Sequence, residues 1–411
     1  MKFLGENPFY TLLLLTEKPG KWPPWLVAPL PLALAAAAGW AWASAAGPAW
    51  GWSTVGLLLG LALADWALLA LLPRSGSSFG PIQPPFMALS LLRGLVAVLA
   101  ALVLGLVTQA EVKDSAATLA WVLQAAAQLA LWLLLAYGSL VEPFRIQVSR
   151  LQLVVPQLAN PGGPLRIVQI SDLHVERLTR RDRALPGLVA GLEPDLIVLT
   201  GDYLNTTYNE DPRAIADLDE LLARLDPTRR RYAIWGSPEV DRIHLLRPVL
   251  EAAGITLLEN RAVEVRADRY HLWIMGVTCT HDRAADGEQL RRLLAEAPPG
   301  ALTLLLYHTP DLMPQAAELG VDLYLAGHTH GGQWRLPGFG AIVTSSRYGK
   351  RYEGGHYQEG NTHLYVSRGL GLEGFGTPRT RFFCRPELVV VDLRGRAGAD
   401  STPRPRRGPT A

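Results

Sequence analysis

The sequence predicts a chain of two unlike parts: an all-α block of about four bilayer-spanning helices, followed by an α/β domain. Two observations carry that division. Residues 25 to 142 are dominated by apolar runs almost free of charge, and beyond residue 150 four short apolar runs of strand length each stop at an Asp or a His. The 411 residues give room for both parts, and a net charge of only +2 argues against a nucleic-acid partner. Two cysteines, Cys279 and Cys384, are too few for a disulfide framework and leave the compartment undecided.

A spanning helix needs roughly 20 apolar residues at about 1.5 Å rise each. Four segments meet this, at 25–46, 51–72, 86–108 and 117–141. Gly47-Pro48-Ala49-Trp50, Pro73 to Ser78 and Glu111-Val112-Lys113-Asp114 lie in the connections. Pro29 and Pro31 weaken the first span. A cleavable signal would show one short apolar region and a small-residue cleavage site, not three further spans. Residues 1–24 are expected to form a cytoplasmic or interfacial segment, with the apolar Phe9 to Leu15 run inside it, and residues 25–149 the transmembrane domain. Lys2, Lys18, Lys21, Arg74, Arg145 and Arg150 fall on one side and only Lys113 on the other. That bias predicts a multi-pass protein of the plasma or inner membrane whose amino terminus and α/β domain are cytoplasmic. Asp65 and Arg93 sit at matching depth in the second and third spans, so an ion pair between them is expected.

In the second part, Leu165 to Ile170 stops at Ser171-Asp172-Leu173-His174, which puts Asp172 and His174 on one face of an extended segment. Asp195 to Thr200 ends in Gly201-Asp202, Leu302 to Tyr307 ends in His308, and Val321 to Ala326 ends in Gly327-His328-Thr329-His330-Gly331-Gly332-Gln333. Two exposed loop histidines would explain the last run alone. Four strand ends carrying Asp and His together point instead to metal ligation, since ligands collect beyond strand ends where loops meet. Imidazole and carboxylate donors suit Mn, Fe, Zn or Co better than Ca or a soft ion.

Asp-x-His, Gly-Asp, a lone His and Gly-His-x-His in this order resemble the calcineurin-like metallophosphoesterase family, and its bacterial membrane-associated branch in particular. Gly254 to Asn260, Tyr307-His308-Thr309-Pro310-Asp311 and Ser367-Arg368-Gly369-Leu370-Gly371 extend the likeness, which covers roughly residues 150 to 393. The resemblance implies a four-layer sandwich, two sheets flanked by helices, over residues 150–394, with 395–411 a disordered tail. It also implies two divalent metal ions, one held by Asp172, His174, Asp202 and His330, the other by Asp202, His308 and His328. Such a pair clamps a phosphoryl group and provides a metal-activated hydroxide. Phosphodiester or pyrophosphate hydrolysis is the expected reaction, with a phosphorylated small molecule or a lipid-linked phosphate as substrate beside the bilayer.

One stretch departs from the family pattern. Arg231 to Trp235 ends in Gly236-Ser237-Pro238-Glu239, where the family has Gly-Asn-His followed by an acidic residue. Ser237 offers a weaker ligand than asparagine, so the second metal is expected to bind more weakly. Pro238 has no side chain able to contact phosphate or move a proton. Glu239 keeps the acidic residue without its usual partner. Three outcomes fit this gap: an enzyme that works without the acid on substrates with good leaving groups, replacement by another group such as His244 or His281, or a domain that senses a phosphorylated ligand without turning it over. The first is preferred, and the sequence places neither histidine near the metals. The basic stretches Arg177 to Arg183 and Arg229 to Arg231 are expected to be solvated faces.

Overall fold

The computed structural model describes residues 22–75, 80–107, 113–155, 164–267, 270–374 and 379–395. Lys2, Lys18, Lys21, the Phe9 to Leu15 run and the tail beyond Gly395 lie outside the described residues. After a helical turn at Pro24–Val27 come α1 (Pro29–Ala46), α2 (Pro48–Leu71), α3 (Gln83–Val107) and α4 (Lys113–Leu140). With their flanking turns they give four segments long and apolar enough to cross a membrane, Pro24–Ala46, Pro48–Arg74, Gln83–Val107 and Asp114–Phe144. Pro29 and Pro31 open α1 instead of breaking it, because the first turn of a helix has no intrahelical use for their missing N–H groups. Trp40, Leu63, Leu99 and Leu106 are exposed on the bundle, a composition suited to hydrocarbon more than to water.

The expected pair inside the bundle forms. Arg93 meets Asp65 through Nε at 2.6 Å and Nη2 at 2.8 Å, and both side chains are buried. Its Nη1 donates to the carbonyl oxygen and to Oε1 of Gln128, each at 3.1 Å, while Gln128 Nε2 donates back to the Arg93 carbonyl at 2.9 Å. A charge taken out of water is tolerated when its hydrogen-bonding groups find partners in this way.

Beyond the bundle, β1 (Gln147–Val154), β14 (Glu387–Arg394), β2 (Leu165–Ile170), β3 (Leu196–Leu199), β4 (Arg230–Ala233) and β5 (Thr256–Leu257) lie in that order in a six-stranded sheet. A short hairpin joins β10 (Arg335–Leu336) to β11 (Gly340–Ala341), and a second six-stranded sheet runs β12 (Gly355–Glu359), β13 (Thr362–Val366), β9 (Leu323–Ala326), β8 (Leu302–Leu306), β7 (Tyr270–Gly276), β6 (Arg261–Ala267). Ile167, Val198, Ile234, Ile274, Leu304 and Leu325 fill the space between the sheets. The alternate residues Val168, Ile197 and Leu199 face outward to α5 (Arg180–Gly191), α6 (Pro212–Ala223) and α7 (Ile243–Ala252). On the other side, α8 (Arg283–Ala295) and α9 (Met313–Leu319) cover Leu305, Tyr324 and Leu364. Both faces of each sheet are thus buried, which is why these strands read as unbroken apolar runs. The result is the four-layer sandwich.

β2 to β5 are mutually parallel, as are β13, β9, β8 and β7. Parallel strands deliver their carboxyl ends to one side, and there the chain places Asp172 after β2, Asp202 after β3, Ser237 after β4, His308 after β8 and His328 after β9.

The two parts meet close to that rim. The backbone N–H of Arg381 donates to the Gly138 carbonyl near the end of α4 at 3.0 Å, and the N–H of Cys384 donates to Glu142 Oε1 at 2.9 Å. Arg180 Nη2 donates to the Leu140 carbonyl at 2.9 Å and its guanidinium lies over the Phe144 ring. The basic stretches are not wholly solvated. Arg181 is buried on Asp182 and the Leu370 carbonyl, and Arg231 is buried on the Leu225 carbonyl, because each guanidinium turns inward onto a backbone acceptor.

Candidate metal centre

Six side chains converge at the rim in two groups. Asp172, His174 and His330 offer ligand atoms within 4.8 Å of one another, and so do Asp202, His308 and His328. Asp202 stands between them: its Oδ2 is 3.1 Å from His308 Nε2 and 3.6 Å from His174 Nε2. Within the first group His174 Nε2 and His330 Nε2 are 3.0 Å apart, and within the second His328 Nδ1 and His308 Nε2 are 3.2 Å apart.

The backbone is bent to achieve this. Asp172, His174, Asp202, His328 and His330 all have φ between 43° and 70°, a left-handed conformation that is uncommon for residues with a Cβ. Such residues persist only where surrounding structure over-determines them, and they cluster at functional sites. Glycines make room alongside: a Cβ on Gly236 would stand 2.2 Å from Asp202 Oδ1, and one on Gly327 would stand 2.3 Å from Asp172 Oδ2.

Neighbouring groups fix each donor. His308 Nδ1 donates to the Thr200 carbonyl at 2.8 Å, which leaves a lone pair on Nε2 in the neutral ring. Asp172 accepts from the Ser171 hydroxyl and, at 2.9 Å, from the His328 backbone N–H. His174 Nδ1 lies 3.2 Å from Glu373 Oε2, and Arg381 Nη2 lies 3.3 Å from His330 Nδ1. The buried Asp241 accepts from the backbone N–H groups of Asp202, Tyr203 and Gly236, tying the β3 loop to the β4 loop.

These groups perturb one another strongly. Burial pushes Asp172 up, and the negative charge of Asp202 adds to the rise against the pull of His308. Burial would raise Asp202 as well, but His308, His174 and His328 hold it below the usual carboxylate range. Burial works against charge on His308, yet Asp202 and Asp172 outweigh it and raise its pKa. His328 and His330 are pushed well below the ordinary value by burial and by cationic neighbours. Burial and the charge of Asp202 push Asp241 up to about 7, whereas His174 holds Glu373 down to about 2 against its burial.

Buried acceptors that face one another at 3.0 to 3.6 Å repel unless a proton or a cation sits between them. His328 Nε2 is a further buried nitrogen with no hydrogen-bond partner among the described residues. The donor set, two carboxylates and four imidazoles in two groups, fits a pair of divalent cations.

The sequence profile of the calcineurin-like phosphoesterase family matches residues 165–332. The chain is 30% identical over 265 residues to the uncharacterised metallophosphoesterase YkuE of Bacillus subtilis, covering 63% of this chain and 89% of that one. The chain belongs to the calcineurin-like phosphoesterase family. Members are metal-dependent phosphoric ester hydrolases. Phosphodiesterase YaeI of Escherichia coli is 31% identical over 245 residues, 56% of this chain and 83% of that protein. UDP-2,3-diacylglucosamine pyrophosphatase LpxG of Chlamydia trachomatis is 24% identical over 307 residues, 61% of this chain and 90% of that protein.

Against the family pattern, Ser237 occupies the asparagine position and faces the second group, with its Oγ 3.4 Å from His328 Nδ1 and its N–H donating to Asp202 Oδ1 at 2.7 Å. Pro238 is exposed. Of the two histidines considered as replacements, His244 is exposed at the start of α7, while His281 lies at the rim with its ring centroid 5.8 Å from that of His328. Glu239 has a partner after all, since its Oε2 is 3.7 Å from His281 Nε2. Sequence reasoning missed Glu373, Asp241 and Arg381. Glu373 lies two residues past the Ser367 to Gly371 stretch, and an acidic side chain amid glycines was the available signal.

Proposed function

We propose that the protein is a membrane-anchored phosphoesterase that hydrolyses a phosphodiester or pyrophosphate bond in a lipid-linked substrate. In this reading residues 25–149 are the anchor and 150–394 the phosphoesterase domain, on the cytoplasmic face. The observation that carries it is the convergence of two Asp/His groups on one shared carboxylate, Asp202, at the carboxyl ends of parallel strands. Asp172, His174, Asp202 and His330 would hold one divalent cation, and Asp202, His308 and His328 the other.

Two cations at such a site supply positive charge for the phosphoryl oxygens and bring the ionisation of water toward neutral pH. The chain supplies the rest. The Thr200 carbonyl keeps the hydrogen of His308 on Nδ1, Glu373 orients the His174 ring, and the Ser171 hydroxyl and the His328 N–H hold the Asp172 carboxylate. Arg381 keeps positive charge beside His330, which favours the neutral imidazole.

Support for a lipid-linked substrate comes from a small open cleft whose lining includes Pro143, Phe144, His174, Glu176, Arg177 and Arg181. Its wall joins residues just past the last spanning helix to a candidate ligand, a short path from the bilayer surface to the rim. The pyrophosphatase relative, named for a diacylated sugar nucleotide, points to the same class of substrate.

The test uses the full chain in detergent or nanodiscs: metal bound per chain, and Mn-dependent hydrolysis of bis-p-nitrophenyl phosphate, with Asp202→Asn as control. Turnover that disappears in the control supports the enzyme. Stoichiometric metal without turnover on diester, monoester or pyrophosphate substrates would favour a phospho-ligand sensor, the alternative that the Ser237-Pro238 pair raises. A reporter fused after residue 150 that is reached only from outside sealed cells would overturn the cytoplasmic placement.

A further inference from the structure

The rim carries one more imidazole than the two ligand groups use. From the end of β7 at Gly276 the chain runs through Val277-Thr278-Cys279-Thr280 to His281, whose φ of 62° repeats the left-handed bend of five of the six candidate ligands. The loop is firmly built. Asp286, on α8, accepts from the Thr280 N–H at 2.9 Å, from the Thr280 hydroxyl at 2.6 Å and from the Tyr307 hydroxyl at 2.7 Å. Tyr307 directly precedes His308, so one buried carboxylate ties the His281 loop to the strand end that carries a candidate ligand.

Three distances then locate His281. Its ring stands 5.8 Å from that of His328, tilted by 49°, its Nδ1 is 3.7 Å from Cys279 Sγ, and its Nε2 is 3.7 Å from Glu239 Oε2. At 3.7 Å the carboxylate attracts and orients the ring by charge, beyond the length of a formed hydrogen bond. Glu239 follows Pro238, the position where the family pattern has its histidine. The acidic half of that motif is retained, and an imidazole reaches it from a different strand.

We propose that His281, oriented by Glu239, is a catalytic residue that donates a hydrogen bond to the leaving oxygen or a phosphoryl oxygen of substrate at the second ligand group. The proposal rests on the phosphoesterase reading above. Hydrolysis forms one phosphorus–oxygen bond from water and breaks another, leaving the electron pair on the departing oxygen, which takes up a proton ultimately supplied by that water. A donor aimed at the departing oxygen stabilises its charge as the bond breaks, and the need is greatest when the leaving group is poor. Glu239 is then a positioning residue.

The experiment compares the wild-type full chain with His281→Asn, His281→Ala and Glu239→Gln on two methyl aryl phosphate diesters, one releasing p-nitrophenol and one phenol. Metal per chain and the Kd of inorganic phosphate are measured alongside. The expected result is a loss of kcat of about 10²-fold on the phenyl ester and a clearly smaller loss on the nitrophenyl ester. Phosphate should bind about tenfold more weakly, with metal content unchanged. Glu239→Gln, at an exposed position, should show the same leaving-group pattern more weakly, which covers the case in which a His281 variant fails to fold. A fall in metal content on changing His281 would make it a ligand and overturn the proposal. Equal loss on both esters with unchanged phosphate affinity would make it structural and also overturn it, as would no loss at all. If the wild type turns over neither ester nor a phosphomonoester or pyrophosphate substrate, the phosphoesterase reading fails, and phosphate affinity alone decides the contact: weaker binding in the His281 variants supports it and equal binding overturns it.

Discussion

Two of the sites where the chain buries charge treat it in opposite ways. In the helical block Asp65, Arg93 and Gln128 meet donor to acceptor, including a reciprocal bond from Gln128 to the Arg93 carbonyl. At the rim the Asp202 carboxylate and the ring nitrogens of His308, His174 and His330 crowd together at 3.0 to 3.6 Å. The first arrangement is complete within the protein, while the second is closed only by added protons or by a cation. Burial alone therefore does not distinguish a structural charge from a functional one. What distinguishes them is whether the remaining lone pairs have been answered.

The largest effect should come from the carboxylate that both ligand groups share. Asp202→Asn removes charge from both, and turnover should fall by about 10³-fold or more, since metal-borne stabilisation is worth several kcal/mol. Metal analysis and the nitrophenyl diester assay check this, and full retention of both metals in the variant would break the contrast at its strongest point.

The convergence of these side chains was largely legible in the sequence. Asp172, Asp202, His308 and His328 each follow an apolar run within about three residues, so strand ends could be read from pattern alone, and parallel strands bring those ends together. His281 resisted the same treatment. Its strand, β7, opens with Tyr270 and His271 and is followed by four residues before His281, so nothing in Thr278 to Asp282 marks it as facing a metal group. Glu373 and Asp241 act on ligands and on ligand-bearing backbone, a role that leaves no periodic trace. The bundle was legible in its four long apolar helices and in the Asp65–Arg93 pair. Gln128, which completes that pair from a third helix, needed the structure because an uncharged amide in an apolar run carries no depth information.

Gln128 also refines what breaking the other site should do. Arg93→Leu leaves the Asp65 carboxylate buried without its cation, and stability should fall by about 3–5 kcal/mol, read as lost thermal stability in detergent. Exchanging the two residues should restore only part of it, because an Asp at position 93 would face the acceptor oxygens of Gln128 that now serve Arg93. Complete restoration would show that Gln128 contributes nothing.

A smaller effect tests how the rim is held. Glu373→Gln removes the charge beside His174 Nδ1, and metal binding to the first group should weaken by about 10- to 100-fold. Calorimetric metal titration should show one of two binding steps move and the other stay. Ser237→Asn should give the smallest change, lowering the Mn concentration for half-maximal activity by up to about tenfold. No shift would mean that the serine position takes no part in holding the second cation.

The hydrogen bonds from Arg381 and Cys384 to Gly138 and Glu142 bear on how the enzyme can be handled. Cutting the chain at residue 150 to obtain a soluble enzyme would strip the acceptors from two backbone N–H groups, uncover the Phe382 ring that packs against Gly138, and loosen the loop whose guanidinium stands beside His330. The last helix of the bundle is thus part of the wall of the catalytic domain. A truncation that begins upstream of Tyr137 preserves this wall; one that begins at the first strand removes it.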